Sequence, residues 1–297
     1  MVAAADLRPA PAAGRLLGPA LALVCNAFVW GVSWWPFREL QALGLHPLWA
    51  TALIYLVSAL AITLWRPQSW RQLLGTPSLW WLVLASGATN ATFNWAVTVG
   101  DVVRVVLLFY LMPLWAVLLA RLLLGEAFTP AALLRVALAL AGAAIVLWPA
   151  GGGLPLPRTL AEGLGVAGGF AFALNNVLLR REAHRPEAAR ALAMFMGGAV
   201  VSAAVALAAG GSVPPPPAPA LAWVGGALAL AVAFLASNLA LQYGAARLPA
   251  NVTAVVMISE VLFASVSAAL LGAGTLTTQL LLGGALIVGA TLLAARG

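Results

Sequence analysis

The segment Val103–Leu124 reads VRVVLLFYLMPLWAVLLARLLL and carries a proline near its middle. Apart from two arginines, nearly all of its residues are apolar. A helix needs about 20 apolar residues to cross a bilayer, and backbone groups inside lipid need hydrogen-bond partners within the chain. The segment therefore predicts a membrane-spanning helix.

Further stretches of similar length and composition lie on both sides of this segment. The complete set of predicted spans is Pro19–Phe37, Pro47–Trp65, Leu79–Val99, Val103–Leu124, Ala131–Trp148, Gly163–Leu179, Ala191–Ala209, Ala220–Tyr243, Val252–Leu271 and Gln279–Ala295. Turn-forming sequences separate them, among them the His46-Pro47 and Arg66-Pro67 pairs. The predicted fold class is therefore all-α integral membrane, with ten transmembrane helices.

The composition excludes an ordinary soluble domain. Hydrophobic residues make up 63% of the 297 positions and charged residues 8%, whereas soluble domains carry about 25% charged residues. The net charge of +7 comes from arginines in short loops, a pattern of topology signals that argues against a nucleic-acid partner. Cys25 and the distant His46 and His184 offer no disulfide or zinc spacing, so neither a metal site nor a cofactor is predicted.

The arginines also predict the orientation of the chain. If the N-terminus is cytoplasmic, most arginines fall on the cytoplasmic side, and only Arg38, Arg104 and Arg158 fall outside. Under the positive-inside rule, this bias predicts a multi-pass protein of the plasma (inner) membrane with both termini in the cytoplasm. Residues 1–18 are interpreted as a cytoplasmic segment, because the apolar stretch after them is too long for the core of a signal peptide.

The second half of the chain echoes the first. Leu111–Trp115 aligns with Ile258–Leu262, and at the same offset Gly125 falls on Gly272. Further weak matches occur in the same order along both halves, which favours an internal duplication. The competing interpretation is that apolar helices resemble one another through composition alone.

Each half contains five predicted spans, so the two halves cross the membrane with opposite orientation. We expect residues 19–150 to form the first five-helix repeat and residues 151–297 the second. The arginines agree with inversion, since Arg38 falls outside and its aligned counterpart Arg180 falls inside. Inverted repeats suit alternating access around a site at the middle of the membrane, which favours a secondary carrier of a small-molecule substrate.

Three short motifs stand at the positions where a known family carries its signatures: Trp30-Gly31, Leu107–Trp115 and Leu124–Glu126. They resemble the ten-helix drug/metabolite transporter superfamily, EamA type. In the second repeat, the Glu-Pro and Gly-Glu pairs of that family are replaced by Glu260-Val261 and Gly272-Ala273. The resemblance implies efflux, with export of amino acids or related amphipathic metabolites, and a cavity lined by helices 1, 3, 4, 6, 8 and 9.

Glu260 is the acid that lies deepest in a predicted span. A charge at the bilayer centre costs at least about 2.5 kcal/mol, so this residue must face a cavity, pair with another group or stay protonated. Two functional interpretations fit it, a contact to a substrate amine and a site of proton coupling. The alternative is a structural hydrogen bond to a neighbouring helix. Its aligned position in the first repeat is Pro113, so no second carboxylate completes a pair.

Two residues of the fourth span are candidates for moving parts. Pro113 removes a backbone hydrogen bond and frees a carbonyl, which fits a hinge as well as a tolerated kink. Arg104 lies near the outer end of the span, three residues after Asp101, where the two can form an ion pair on one helix face. The alternative for Arg104 is an extracellular gate or a contact to a substrate carboxylate.

Polar and aromatic residues on the paired spans are candidates for the substrate site. Amides inside a membrane often hold helices together, but here they recur on the spans that the repeat pairs, and aromatic rings can stack on a flat or cationic ligand. We expect the substrate-binding residues to be Glu260, Asn94, Asn90, Trp30, Tyr110, Asn176 and Asn238. A small-residue run around Gly289 indicates helix packing or a homodimer contact.

A secondary carrier is the function that the sequence favours, and the protein is not expected to be an enzyme. The sequence contains no glycine-rich ATP-binding loop. It also contains no lysine, and no histidine lies within a predicted span, which argues against catalysis at the membrane. A polytopic membrane enzyme and a channel or non-transporting membrane partner remain as alternatives, and proton coupling stays open.

Overall fold

The computed structural model describes residues 13–125, 129–149, 154, 156–245, 247, 256–257 and 259–296. Across these ranges the regular elements are α-helices and one short 3-10 turn at Gly210–Ser212, without any strand. Most of the predicted segment 1–18 and the first part of the ninth predicted span, with Ile258, lie outside the described residues. The helices are α1 (Ala13–Val32), α2 (Trp34–Ala42), α3 (Pro47–Trp65), α4 (Gln68–Leu74), α5 (Pro77–Val99), α6 (Val102–Phe109), α7 (Met112–Leu124), α8 (Pro130–Leu147), α9 (Leu160–Arg181), α10 (Glu187–Ala208), α11 (Leu221–Ala245), α12 (Ser259–Leu270) and α13 (Thr278–Arg296).

Most of these helices coincide with predicted membrane spans. Within the described ranges, 7 stretches are long and apolar enough to cross a membrane. They are Leu17–Ala42 in α1 and α2, α3, Val102–Leu123 in α6 and α7, α8, α9, α10 and Leu221–Leu241 in α11. Two shorter apolar helices, α12 and Thr278–Ala290 in α13, occupy the ninth and tenth predicted spans. An all-helical, multi-pass membrane protein is confirmed, whereas the total of ten spans stays a prediction.

The third predicted span, α5, is 23 residues long but does not belong to this set of apolar stretches. Its polar residues, including Thr89, Asn90 and Asn94, lower its mean hydropathy. All three are nevertheless buried among the other helices. The polar face of α5 therefore points into the protein and away from lipid, as expected for a helix that contributes to an internal site.

Two predicted spans are broken close to a proline. The first consists of α1 and α2, which meet at Ser33, and Pro36 cannot donate a hydrogen bond to the carbonyl four residues earlier. The fourth consists of α6 and α7, with Tyr110 and Leu111 between them and Pro113 in the first turn of α7. Backbone groups that lose a helical partner at membrane depth need partners inside the protein. Ser33, Tyr110 and Leu111 are all buried, so both breaks lie inside the helix bundle.

The helix contacts follow the pairing that a repeat of five spans requires. α1 packs against α11 and α12, and α9 packs against α5, α6 and α7. In span numbers, α1 forms the pairs 1–8 and 1–9, and α9 forms the pairs 6–3 and 6–4. When each span is replaced by its counterpart in the other half, 1–8 becomes 6–3 and 1–9 becomes 6–4. The pairs α5–α10 and α11–α3 are related in the same way, and α3–α10 and α8–α13 are their own counterparts. The pattern agrees with the predicted repeat, while its division at residue 150 stays a prediction.

Glycines allow several of these helices to approach very closely. A Cβ atom on Gly87 of α5 would lie 2.4 Å from the carbonyl oxygen of Gly197 in α10. A Cβ atom on Gly142 of α8 would lie 2.6 Å from the carbonyl oxygen of Gly283 in α13. Small residues are the usual means of close helix packing where lipid replaces water around the fold, so these four positions fix the framework that holds the internal site.

Candidate functional site

A cavity of about 380 Å³ lies between the helices of both halves, within the range of about 300–1,000 Å³ typical of small-molecule sites. All the spans implied by the family resemblance contribute to its wall, and α3 and α10 add Tyr55, Met194 and Phe195. Its polar lining consists of Asn26, Ser86, Thr89, Asn90, Asn175, Asn176, Asn238 and Glu260. Its aromatic lining consists of Trp30, Tyr55, Phe93, Phe109, Tyr110, Phe172, Phe195 and Phe234.

Glu260 stands in the first turn of α12 and is 8% exposed. Its carboxylate Oε2 accepts a hydrogen bond from the Tyr110 hydroxyl at 3.1 Å. Tyr110 occupies the break between α6 and α7, so the two residues join the fourth and ninth predicted spans across the cavity. Among the described residues, no arginine lies within ion-pair distance of Glu260. A buried carboxylate without a cation is costly, and its environment is complementary to a cationic group on a ligand.

Two amide oxygens add acceptors to the same cavity. Asn26 and Asn175 are 1% and 3% exposed, and both line the cavity. Asn26 Nδ2 donates to Ser237, to its carbonyl at 2.9 Å and to its hydroxyl at 2.6 Å, which ties α1 to α11. Within the described part of the chain, Oδ1 of each asparagine is buried without a hydrogen-bond partner. Buried acceptors without partners are expensive, so a ligand with N–H donors would satisfy them.

Asn90 belongs to the lining but is held in place by protein groups. Its Oδ1 accepts from the Tyr55 hydroxyl at 2.5 Å, and its Nδ2 donates to the Ser86 carbonyl at 2.8 Å. Tyr55 is fully embedded, with 4% of its surface exposed. Asn90 therefore fixes the position of the Tyr55 ring in the wall of the cavity, in addition to presenting its own amide.

Aromatic rings form most of the remaining wall. Trp30 packs edge-on against Phe234 with ring centroids 4.6 Å apart. Phe109 contacts Phe93 at 4.6 Å and Phe172 at 5.3 Å. Trp30 also packs against two clusters of buried apolar residues, one that includes Phe93 and Phe109 and one that includes Tyr55 and Phe234. Rings of this kind bind flat apolar groups and cations, so the cavity combines an acidic end with an aromatic body.

The predicted site residues are distributed between the cavity and its surroundings. Glu260, Asn90, Trp30, Tyr110, Asn176 and Asn238 all line it. Asn94 does not, because it is fully buried one turn further along α5 and its Nδ2 donates to Thr51 Oγ1 at 3.1 Å. Sequence reasoning did not select Tyr55 and Phe195, since an aromatic residue in an apolar helix carries no signal of which face it occupies.

The positions of the two asparagines in α5 predict different effects of their replacement. If the cavity is the substrate site of a carrier, as the sequence predicts, Asn90→Leu should raise the KM for substrate by about fivefold or more, since it leaves the buried Tyr55 hydroxyl without its acceptor. Asn94→Leu should leave the KM within about twofold, because its amide contacts Thr51 outside the cavity. Exchange assays on reconstituted protein would measure both. Equal increases would place Asn94 in the substrate site, as the sequence alone predicted.

The outer end of the bundle, as predicted from the arginines, is held by charged groups. The Arg104 guanidinium pairs with the Glu162 carboxylate at 2.6 Å, not with Asp101 as one interpretation of the sequence expected. Asp101 instead accepts from the Arg104 backbone N–H at 2.9 Å and from that of Thr275 at 3.1 Å. Arg104 therefore joins α6 to α9, because Glu162 also caps the N-terminus of α9.

An all-helical membrane fold around a polar and aromatic cavity is the arrangement expected for a membrane transporter. Residues 17–148 match the sequence model of the EamA-like transporter family. A stretch of 101 residues is 37% identical to the uncharacterized transporter PA0485 of Pseudomonas aeruginosa. The match covers 32% of this chain and 34% of that protein, so the chain spans only part of the length of this relative. These findings confirm the resemblance to EamA-type transporters that the motifs predicted.

A solved structure shares the fold over nearly its whole length. The crystal structure, described only as that of a protein, covers 93% of this chain and 96% of its own. Its TM-score is 0.56 at 19% sequence identity. This likeness extends the common architecture across both halves of the chain and concerns the fold alone.

Proposed function

We propose that the protein is a secondary transporter that exports an amino acid or a related amphipathic amine across the inner membrane. The observation that carries the proposal is the buried carboxylate of Glu260, which faces the cavity with Tyr110 as its protein partner. The amide oxygens of Asn26 and Asn175 provide further acceptors for an ammonium group. The rings around Trp30 accommodate an apolar side chain.

Transport would proceed by alternating access between the two five-helix repeats, residues 19–150 and 151–297. The break between α6 and α7, with Pro113 in the first turn of α7, would serve as the hinge. The Arg104–Glu162 pair would serve as the outer gate, which must open to release substrate. Asn176 and Asn238 would complete the binding site, and a proton could exchange at Glu260 in place of the substrate amine.

Two further features belong to the proposal. Both termini lie in the cytoplasm, as the arginine distribution predicts. The face of α13 around Ala285 and Gly289 would form a homodimer contact, because a Cβ atom on Gly289 would meet nothing within 4 Å and Ala285 is exposed.

The topology gives a direct prediction. Reporter fusions after Arg66, Arg190 and Gly297 should all give cytoplasmic signals, because the arginine-rich loops are retained inside the membrane. A fusion after Arg158 serves as the control and should give a periplasmic signal. A periplasmic signal at Gly297 would exclude an even number of spans and the inverted arrangement with it.

Counterflow into proteoliposomes tests the proposed function. Vesicles loaded with unlabelled L-phenylalanine should accumulate labelled L-phenylalanine transiently, and excess 2-phenylethylamine should compete while 3-phenylpropionate should not. The amine retains the group that Glu260 binds, and the acid lacks it. Flux without saturation or counterflow would indicate a channel, and chemical turnover without flux would indicate an enzyme. If L-phenylalanine, L-leucine and 2-phenylethylamine all fail to exchange, the proposed substrate class is wrong.

A further inference from the structure

A second cavity, here called the side cavity, adjoins the central one. It has a volume of about 320 Å³ and lies between the end of α3, α4, the first turns of α10 and the middle of α11. Phe195 and Asn238 line both cavities. Phe195 is 4% exposed, and its ring lies 5.9 Å from that of Tyr55. A thin partition of side chains therefore separates the side cavity from the substrate site.

The side cavity carries two opposite charges. Arg66 directly follows the last residue of α3, and its guanidinium lies 5.2 Å from the centre of the Trp65 ring. Glu187 stands in the first turn of α10. Both line the side cavity, and in the described part of the chain neither forms an ion pair. Both residues are exposed, so a cation and an anion are accessible to the two ends of a zwitterion.

A buried hydroxyl provides an independent sign of a ligand. Ser69 lies in α4 beside Arg66, lines the side cavity and is 0% exposed. Among the described residues, its Oγ has no hydrogen-bond partner. Pro186 precedes α10 and provides no side-chain cap, so the N–H groups of Glu187 and Ala188, which also line the side cavity, add donors on the same wall. Together with Arg66, these donors favour a carboxylate.

We infer that the side cavity is a waiting site for a zwitterionic amino acid on its way to the central cavity. Arg66, Ser69 and the start of α10 bind its carboxylate, Glu187 binds its ammonium, and Phe195 and Asn238 form the partition that it must pass. This inference rests on the proposed function. The side cavity then selects ligands that carry a carboxylate. The central cavity does not, since no arginine lines it among the described residues.

Transport measured from each face of the membrane tests the waiting site. In membrane vesicles of the orientation that exposes the side cavity, Arg66→Gln should raise the KM for L-phenylalanine by about tenfold, the effect of losing a charge-assisted contact. The KM measured in vesicles of the opposite orientation should not change. Arg66→Lys should restore most of the affinity. Arg71→Gln, in α4 but outside the lining, is the matched control and should behave as wild type.

The chemical identity of the ligand gives a second test. The KM for 2-phenylethylamine, which has no carboxylate, should be unaffected by Arg66→Gln on either face. Ser69→Ala should raise the KM for L-phenylalanine in the same direction by a smaller factor. Suppose that the Arg66→Gln protein still exchanges L-phenylalanine and yet shows the same rise in KM on both faces of the membrane, or no rise in KM on either face. Either result would overturn the waiting site and leave the proposed function intact. A wild-type protein that exchanges no amino acid would reject the proposed function and the waiting site together.

Discussion

Glu260→Gln should lower the affinity for L-phenylalanine by about tenfold or more at every pH, because a hydrogen bond to a charged group contributes about 1.5–3 kcal/mol. Glutamine keeps the shape of the side chain and can still accept from the Tyr110 hydroxyl, which lies 3.1 Å from the carboxylate. The fold should therefore survive, and the loss should fall on the binding of the ammonium group. Binding measured by tryptophan fluorescence and exchange in proteoliposomes would quantify it.

The controls separate charge from structure. Glu39→Gln removes an exposed acid that accepts from Trp35 outside the cavity, and it should leave the affinity unchanged. Tyr110→Phe keeps the Glu260 carboxylate but removes its protein donor, so it should change the affinity less than Glu260→Gln does. If Glu260 is the coupling acid instead, Glu260→Gln should spare exchange and abolish the pH dependence of net flux. If Glu260→Gln shows the affinity, rates and pH profile of the wild type, both functional roles are wrong, and the role of Glu260 is a structural hydrogen bond to Tyr110.

The residues that sequence reasoning found are those whose chemistry is out of place in lipid. Glu260 is an acid in an apolar stretch, and Asn90 is an amide on a repeated span, so the cost of burial alone indicates an internal site. Asn94 shows the limit of this argument. It has the same chemistry and lies one turn from Asn90, but its partner Thr51 belongs to α3. Its role depends on a contact between helices that no local pattern specifies.

The breaks in the helices show a similar division. Pro113 predicts where the fourth span is interrupted, because proline lacks the N–H that the preceding turn needs, whereas the break of the first span at Ser33 was not predicted. The pairing of Arg104 with Glu162 was not predictable in this way. The two residues lie on α6 and α9, and the nearer Asp101 satisfied the local spacing rule equally well. Long-range ion pairs depend on how the helices pack. They also depend on whether a nearer acid already accepts hydrogen bonds from backbone N–H groups, as Asp101 does.

The second large effect concerns Gly31 and Gly169, two glycines at crossings of corresponding spans. Gly31 lies where α1 crosses α12, and a Cβ atom there would be 2.8 Å from the Glu260 carbonyl oxygen. Gly169 lies where α9 crosses the break after α6, and a Cβ atom there would be 2.4 Å from the Phe109 carbonyl oxygen. The crossings are spans 1–9 and 6–4, which correspond under a shift of five spans. Each glycine thus lets a helix press against the backbone beside the cavity.

Gly31→Ala and Gly169→Ala should each reduce the rate of exchange by about tenfold or more, since forcing a methyl group into a packed contact costs about 1–3 kcal/mol and moves the backbone. The displaced groups are the carbonyls of Glu260 and Phe109, so the cavity changes shape while most of the fold persists. Gly18→Ala and Gly163→Ala are controls in the same two helices. A Cβ atom on Gly18 would come no closer than 3.7 Å to another residue, and one on Gly163 would meet nothing within 4 Å.

The comparison between the two variants tests the repeat itself. If the two halves are equivalent parts of one mechanism, the losses caused by Gly31→Ala and Gly169→Ala should be similar, and both controls should retain the wild-type rate. A thermal-shift measurement on each variant separates slow transport from a loss of folded protein. A large loss for Gly31→Ala together with normal exchange for Gly169→Ala would show that the ninth span carries the site while the fourth is only its support, and alternating access by two equivalent halves would then be excluded.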